Sequence, residues 1–399
     1  MKKRVFAAML IAACMAAMPT AIYAEEATDA AEGTTEAKKE AGDAVQISDN
    51  LYDFQFKIDD TFYQLPMTFD DFTETGWTLS SSTDPEESIS TSSYAITTFN
   101  NGKDSLSADM INLGINAIPV SQCLVGGISI EGTGFGIDLT AKTVELPGGI
   151  VMGQSTLDDI IAAYGNPSDT YESDLYTKVS YEQDSYEKVE LYVYKEDGTL
   201  KEVDMRNYVA PEGFDPGSVS TETPEIVTAY EAPAQLGDDF MEPIVEYCGD
   251  LYKLPAPVTA FEANGWVLQD VEEGAYVAGS DIDFIKMSKN NQTVNFTIKN
   301  MTGDAVTVEN CFVRSLEVGS YDNEAITLRL SGDITLGANR GDLMTLADEK
   351  GYLYDEEGDY LNVYRDKDTM YDNSITFWFN KDEDAEAAAA ITYENCDLD

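Results

Sequence analysis

The feature that most constrains this chain is its likeness to itself. Tyr63, Leu65, Pro66, Phe72, Gly76, Trp77 and Leu79 recur as Tyr252, Leu254, Pro255, Phe261, Gly265, Trp266 and Leu268, every pair 189 positions apart. Seven identities in a window of 17 residues, with two of the three tryptophans among them, are hard to attribute to chance. Internal repeats fix architecture before any local propensity does. The register continues downstream with small slips. Asn112 and Cys123 match Asn300 and Cys311, 188 apart. Leu146, Gly148, Ile150 and Gly153 match Leu330, Gly332, Ile334 and Gly337, 184 apart, and Asn207 matches Asn395 near the two ends.

Boundaries follow from the repeat. Residues 1–24 read as a signal peptide: Lys2, Lys3 and Arg4 precede an apolar stretch from Val5 to Met18, Pro19 breaks it, and Ala24 offers a small residue for cleavage. An alternative uses Ile11-Ala12-Ala13-Cys14 as a lipobox, with lipid anchoring at Cys14. Residues 25–48 form an acidic tail without apolar periodicity, expected to be disordered. The first copy occupies 49–208 and the second 239–399. Between them, 209–238 carries Pro211, Pro216, Pro224 and Pro233 and reads as an acidic, semi-extended linker. No later stretch approaches 18 uninterrupted apolar residues, so no spanning helix is expected.

Each copy reads as α+β, mostly antiparallel sheet with two short helices. Tyr94–Phe99 and 106–113 flank Asn100-Asn101-Gly102 as a hairpin, repeated around Asn290-Asn291. Thr68 and Asp71 make a capping pattern for a short helix ending before Gly76. Ser155 and Asp158 do the same for a second helix, whose Leu157, Ile160, Ile161 and Tyr164 lie at helical spacing. Gly165 is expected in the left-handed position that ends it. Asn339, Asp342 and Gly351 repeat that logic. Strands are expected at Thr177–Tyr181, Val189–Tyr194 and Glu202–Asn207, with a turn at Glu196-Asp197-Gly198.

The run from Gly149 to Ile160, closing on Tyr164-Gly165-Asn166-Pro167 before a strand meander, resembles the helix-then-sheet unit of the outer-membrane assembly lipoprotein BamE, and the tandem β-lactamase inhibitor proteins are similar. The two-copy layout also resembles uncharacterised exported proteins of Gram-positive bacteria. These resemblances imply non-catalytic protein binding and transfer no functional residue.

Composition closes several reaction classes. The chain has no histidine, which excludes Ser-His-Asp and Cys-His nucleophiles, His-ligated zinc and imidazole acid–base catalysis. Its formal charge of −50 repels nucleic acid and anionic lipid, and favours cations, basic peptides or neutral ligands. Cys123, Cys248, Cys311 and Cys396 make no zinc spacing. Cys123 and Cys311 are expected as buried apolar residues, while Cys248 and Cys396, near the two ends of the second copy, could pair as a disulfide. Calcium is the one cofactor to weigh, through the acidic turns 355–359 and 366–368, neither of which has EF-hand spacing.

Tyrosines cluster on the meanders, at 171, 176, 181, 186, 192 and 194 and again at 352, 354, 360, 364 and 371. Strand packing accounts for such residues, and a tyrosine–carboxylate face could bind carbohydrate or a basic protein. No catalytic, cofactor-binding or metal-binding residue can be nominated. The expectation is a secreted, non-catalytic binding protein whose partner is an extracellular or cell-surface protein or carbohydrate. The alternative is a carboxylate-dependent hydrolase acting on extracellular polysaccharide.

Overall fold

The computed structural model describes residues 46–134, 136–320, 322, 325–380, 386–396 and 398. The expected signal peptide, the alternative lipobox and nearly all of the expected acidic tail lie outside the described residues. At the tail's end, Ser48 already belongs to the fold: its amide donates to Gln55 Oε1 at 2.9 Å, and its carbonyl accepts from Gly148 N at 3.2 Å.

The protein is mostly antiparallel β-sheet with few helices. The first sheet contains β1 (Thr78–Leu79), β2 (Ser93–Asn101), β3 (Asp104–Asn112), β4 (Leu124–Glu131), β5 (Asp169–Glu172), β6 (Tyr176–Asp184), β7 (Glu187–Tyr194) and β8 (Leu200–Asn207). The second contains β9 (Val267–Gln269), β10 (Ile282–Lys289), β11 (Gln292–Lys299), β12 (Phe312–Gly319), β13 (Leu353–Glu357), β14 (Tyr360–Tyr364), β15 (Asn373–Phe379) and β16 (Ala388–Asn395).

The spatial order is β1-β2-β3-β4-β8-β7-β6-β5 in the first sheet and β9-β10-β11-β12-β16-β15-β14-β13 in the second. In both, the chain builds four strands inward from one edge and crosses over through a helix. It then returns from the far edge, so that the last strand closes against the fourth. Met67–Thr68 and Ala256–Pro257 add a short pairing to β4 and β12.

Alternation along the strands decides which face is covered, because successive side chains point to opposite sides. On β7, Val189, Leu191 and Val193 point inward and are buried, while Lys188, Glu190, Tyr192 and Tyr194 point outward. The inner face of the first sheet packs against the small sheet of Gln55–Ile58, Thr61–Gln64, Val144–Leu146 and Ile150–Val151 and against helices Phe69–Glu74 and Leu157–Tyr164. The second sheet packs likewise on Ile244–Tyr247, Asp250–Lys253 and Leu328–Leu330, with helices Val258–Ala263 and Arg340–Lys350. Two apolar clusters result, one drawn from Leu51 to Met205 and the other from Phe240 to Tyr393.

Residues that recur in the sequence do the same work in each half. Phe72 and Phe261 are wholly buried on the first helix of each, and a glycine follows each helix at positive φ, Gly76 at 98° and Gly265 at 86°. That conformation costs any residue with a Cβ, and it turns Trp77 and Trp266 back into the core. Asn207 Nδ2 donates to Leu65 O at 3.0 Å, as Asn395 Nδ2 does to Leu254 O at 2.7 Å. Each pins the end of the last strand to the segment before the first helix.

Some local expectations shift. The cap of Leu157–Tyr164 is Thr156, whose hydroxyl accepts from Asp159 N while Asp159 accepts from Thr156 N. Ser155 instead accepts from Val151 N at 2.9 Å, a local bond that takes it out of the cap role. Gly165 keeps a positive φ of 79°, but its ψ of −161° lies outside the left-handed helical region; Gly351 does take the left-handed position. Ile161 faces solvent and only Ile160 is buried. The second hairpin turns through Asn290 and Asn291, both at positive φ as a tight turn between right-twisted strands requires.

The two halves touch through matching loops. Buried Asn112 ties its loop by donating to Ile89 O and Asn116 O and accepting from Gly114 N. Buried Asn300 does so by donating to Val277 O, Ala278 O and Asp304 O and accepting from Thr302 N. The loops so formed meet: Ala117 N donates to Gly303 O at 2.7 Å, Gly279 N to Ile115 O at 2.8 Å and Ala305 N to Asn116 Oδ1 at 2.7 Å. The stretch 209–238 runs alongside, with Pro216 O accepting from Ile115 N and Ser220 N donating to Ala305 O. It then forms one helical turn, Glu225–Thr228, with Val227 buried.

Candidate functional site

Among the described residues no element covers the outer face of either large sheet, and the side chains that alternation directs there are mostly polar or aromatic. On the first sheet the middle of this face is low because the directly opposed pair Ser107 and Ser129 is small. A depression of about 310 Å³ lies over them. Ile96 stands on its β2 side at 69% exposure, and Glu190, Asp204 and Arg206 stand on its β7–β8 side.

Charges within the depression are mostly matched. Arg206 lies 3.9 Å from Asp109, which also accepts from Tyr208 Oη at 2.6 Å. Lys178 and Lys188 both reach Glu190 Oε1, at 2.7 and 3.2 Å. Burial pushes the Glu190 carboxyl up, but hydrogen bonds from Lys178, Lys188 and Ser180 outweigh it and hold the group below the usual range.

Toward the next end of the face the balance changes. The pairing of β8 with β4 sets Glu202 directly opposite Glu131 and Asp204 opposite Ser129. Like charges directly opposed across a sheet repel. Glu202 is accordingly pushed up, by partial burial first and then by Asp204 and Glu131. What steadies these carboxylates is tyrosine: Tyr192 Oη donates to Asp204 at 3.0 Å and Tyr194 Oη to Glu202 at 3.2 Å. Among the described residues no lysine or arginine is ion-paired to Glu131, Glu202 or Asp204. The tyrosines continue outward as a contiguous cluster, with Tyr176 at 5.2 Å from Tyr192, 5.8 Å from Tyr194 and 6.3 Å from Tyr171, centroid to centroid. Tyr181, from the same meander, points inward and is buried.

The second sheet carries a different face at the same pairing positions. Gly319 opposite Ala390, and Thr392 on the same strand, stand where the first sheet has Glu131 opposite Glu202, and Asp204. Trp378 pairs with Ala390 as Tyr192 pairs with Glu202, and its ring lies 5.8 Å from Tyr360. The exposed residue on the second strand is Phe284, 67% accessible, in the place of Ile96. This face carries charge as well, at Lys286, at Glu317 opposite Thr392 and at Glu394 opposite Ser315, with Arg314 3.9 Å from Glu394.

The acidic turns weighed for calcium are engaged elsewhere. Asp355 accepts from Tyr364 Oη, Glu356 pairs with Arg340 at 3.1 Å, and Asp366 caps a short turn through Asp368 N. No group of three or more carboxylates or thiols converges on a metal-sized point among the described residues. All four cysteines of the described chain are free thiols, so Cys248 and Cys396 are not joined. Cys248 lies beside Lys289 and Asp250, whereas Cys396 lies beside Arg314 and Asp372.

Cys123 and Cys311 are buried, and desolvation pushes both thiols up to about 12. The thiolate is the reactive form. Both are expected to stay unlabelled by a maleimide in native buffer at pH 8 and to react within minutes in denaturant; mass spectrometry of the labelled peptides reads this. Rapid native labelling at either position would contradict the packing described.

Family models, curated proteins and solved structures contain no match to this chain. What can be said of function therefore rests on the two faces. Sequence reasoning singled out the meander tyrosines but not Glu131, Glu202 or Asp204 among 74 acidic residues. A partial signal existed, since Glu202, Asp204 and Arg206 alternate with buried Val203 and Met205 and so share a face. Their proximity to Glu131 depends on strand register.

Proposed function

We propose that this is a secreted, non-catalytic binding protein made of two divergent copies of one α+β domain, each offering the outer face of its large sheet to an extracellular or cell-surface ligand. The duplication is supported by the identical strand order in the two sheets and by the paired roles of Asn112 and Asn300 and of Asn207 and Asn395. The observation that carries the binding reading is the uncovered aromatic row on each face, Tyr171, Tyr176, Tyr192 and Tyr194 on one and Tyr360 and Trp378 on the other. Tyr171 is 52% exposed and Trp378 44%. Rings of this kind supply large contact area at little entropic cost and are enriched in binding surfaces.

The test is a binding screen of the full mature chain against peptide and glycan arrays, repeated with Tyr192→Ala and Trp378→Ala. At least one ligand is expected to lose about tenfold or more in affinity in one of the two variants. Mass spectrometry of that ligand after prolonged incubation should find it intact. Cleavage would replace the binding reading with a hydrolytic one, and retention of all binding in both variants would remove the faces as the site.

A further inference from the structure

Resting on that binding reading, we infer that the tyrosine–carboxylate end of the first sheet docks a cationic segment of a partner protein, taking a lysine or arginine side chain between Glu131, Glu202 and Asp204 with its stem against Tyr192 and Tyr194. Charge complementarity selects the occupant. Three carboxylates are gathered by the pairing of β4 with β8 into a strip in which none is ion-paired to a lysine or arginine among the described residues. Repulsion between them is a standing cost that a bound cation would relieve.

The neighbouring rings suit the same ligand. A cation over an aromatic face is attracted by its quadrupole, and the protein already uses this on the same surface, where Lys178 Nζ lies 5.8 Å from the Tyr192 ring centroid. Tyr192 and Tyr194 donate hydroxyl hydrogen bonds to Asp204 and Glu202, which fixes the rings beside the carboxylates. A flat, open sheet with half-exposed rings fits an extended segment better than a bare ion, for which no convergent ligand set exists among the described residues.

The second sheet is a built-in contrast. With the same strand order, it places Gly319, Ala390 and Thr392 at the three carboxylate positions and keeps an aromatic residue, Trp378, at that of Tyr192. The second face has carboxylates at Glu317 and Glu394, the latter 3.9 Å from Arg314, but none at these three positions, so the gathered strip and the preference it creates belong to the first copy.

The experiment uses the full mature chain and a fluorescein-labelled hexa-arginine peptide, read by anisotropy at physiological ionic strength. Because a strongly acidic protein attracts any polycation, the decisive comparison is between two triple variants of equal charge. Glu131→Gln with Glu202→Gln and Asp204→Asn removes the strip. Glu212→Gln with Glu222→Gln and Glu231→Gln removes three exposed carboxylates from the stretch between the halves. The first set is expected to weaken binding about tenfold or more, the second less than about twofold. Tyr192→Leu, which leaves the charge intact, should weaken it about threefold or more.

Equal losses in the two triple variants would assign binding to the bulk field and overturn the inference. So would wild-type affinity for a neutral oligosaccharide in place of the peptide, although that result would leave the binding reading standing. Circular dichroism melting of each variant guards against unfolding, and Tyr192→Leu keeps the test decisive should the strip variant fail to fold.

Discussion

Truncating Trp77 to alanine is expected to destabilise the protein by about 3–5 kcal/mol, as for other fully buried aromatics. The indole is 1% exposed and stacks on Phe72 with centroids 6.2 Å apart and planes 8° apart. Its Nε1 donates to Tyr63 Oη at 3.0 Å, and Tyr63 in turn stacks on Phe56 at 4.7 Å. The substitution therefore opens a cavity where the first helix, the small sheet and the large sheet meet. Trp77→Phe keeps most of the ring contact and should cost roughly 1–2 kcal/mol, because Tyr63 Oη retains Thr75 as a partner. Urea unfolding followed by far-ultraviolet circular dichroism measures both. A loss below about 1 kcal/mol for the alanine variant would mean that this junction is not close-packed.

Asn300→Ala is expected to cost about 3–4 kcal/mol despite removing no apolar contact of note. The side chain is fully buried, and its amide satisfies three carbonyls and one amide hydrogen; each buried polar group left unpaired costs about 1–3 kcal/mol unless water reaches it. The consequence should extend beyond its own half. The loop that Asn300 holds presents Gly303 O to Ala117 N and Ala305 N to Asn116 Oδ1. Hydrogen exchange at the Ala117 and Ala305 amides is therefore expected to accelerate together in this variant. If stability falls while Ala117 stays protected, the contact between the halves does not depend on the loop's internal order.

The sequence was most informative where a residue does a local or repeated task. Trp77 and Trp266, Asn112 and Asn300, Asn207 and Asn395, and the glycines after the first helices were visible because the pairs recur at nearly the same spacing, 188 or 189 positions. The hairpin turning at Asn290-Asn291 and the Thr68 cap were legible because turn and cap chemistry involve only a few consecutive residues. Even so, the neighbouring hydroxyls of Ser155 and Thr156 could not be told apart as caps. The choice was made by a bond from Val151 N that lies outside the helix.

The face was not legible in this way. Alternation along β7 and β8 places Tyr192, Tyr194, Glu202 and Asp204 on one side, and that much is written in the period of the residues. Which side is covered, and that Glu131 arrives opposite Glu202 from 71 positions away, depends on how β8 registers against β4. A shift of one residue would turn the same carboxylates inward. Register is fixed by the burial of Ile128, Ile130, Val203 and Met205 under the small sheet and helices, and it is a property of the assembled core. The sequence by itself carried the repeated residues from which two copies are expected, the make-up of the strands and turns, and the chemistries that histidine's absence forbids. Only the tertiary structure decided that the first half gathers Glu131, Glu202 and Asp204 into a strip while the second has Gly319, Ala390 and Thr392 at those positions, because strand pairing joins residues that no local propensity connects.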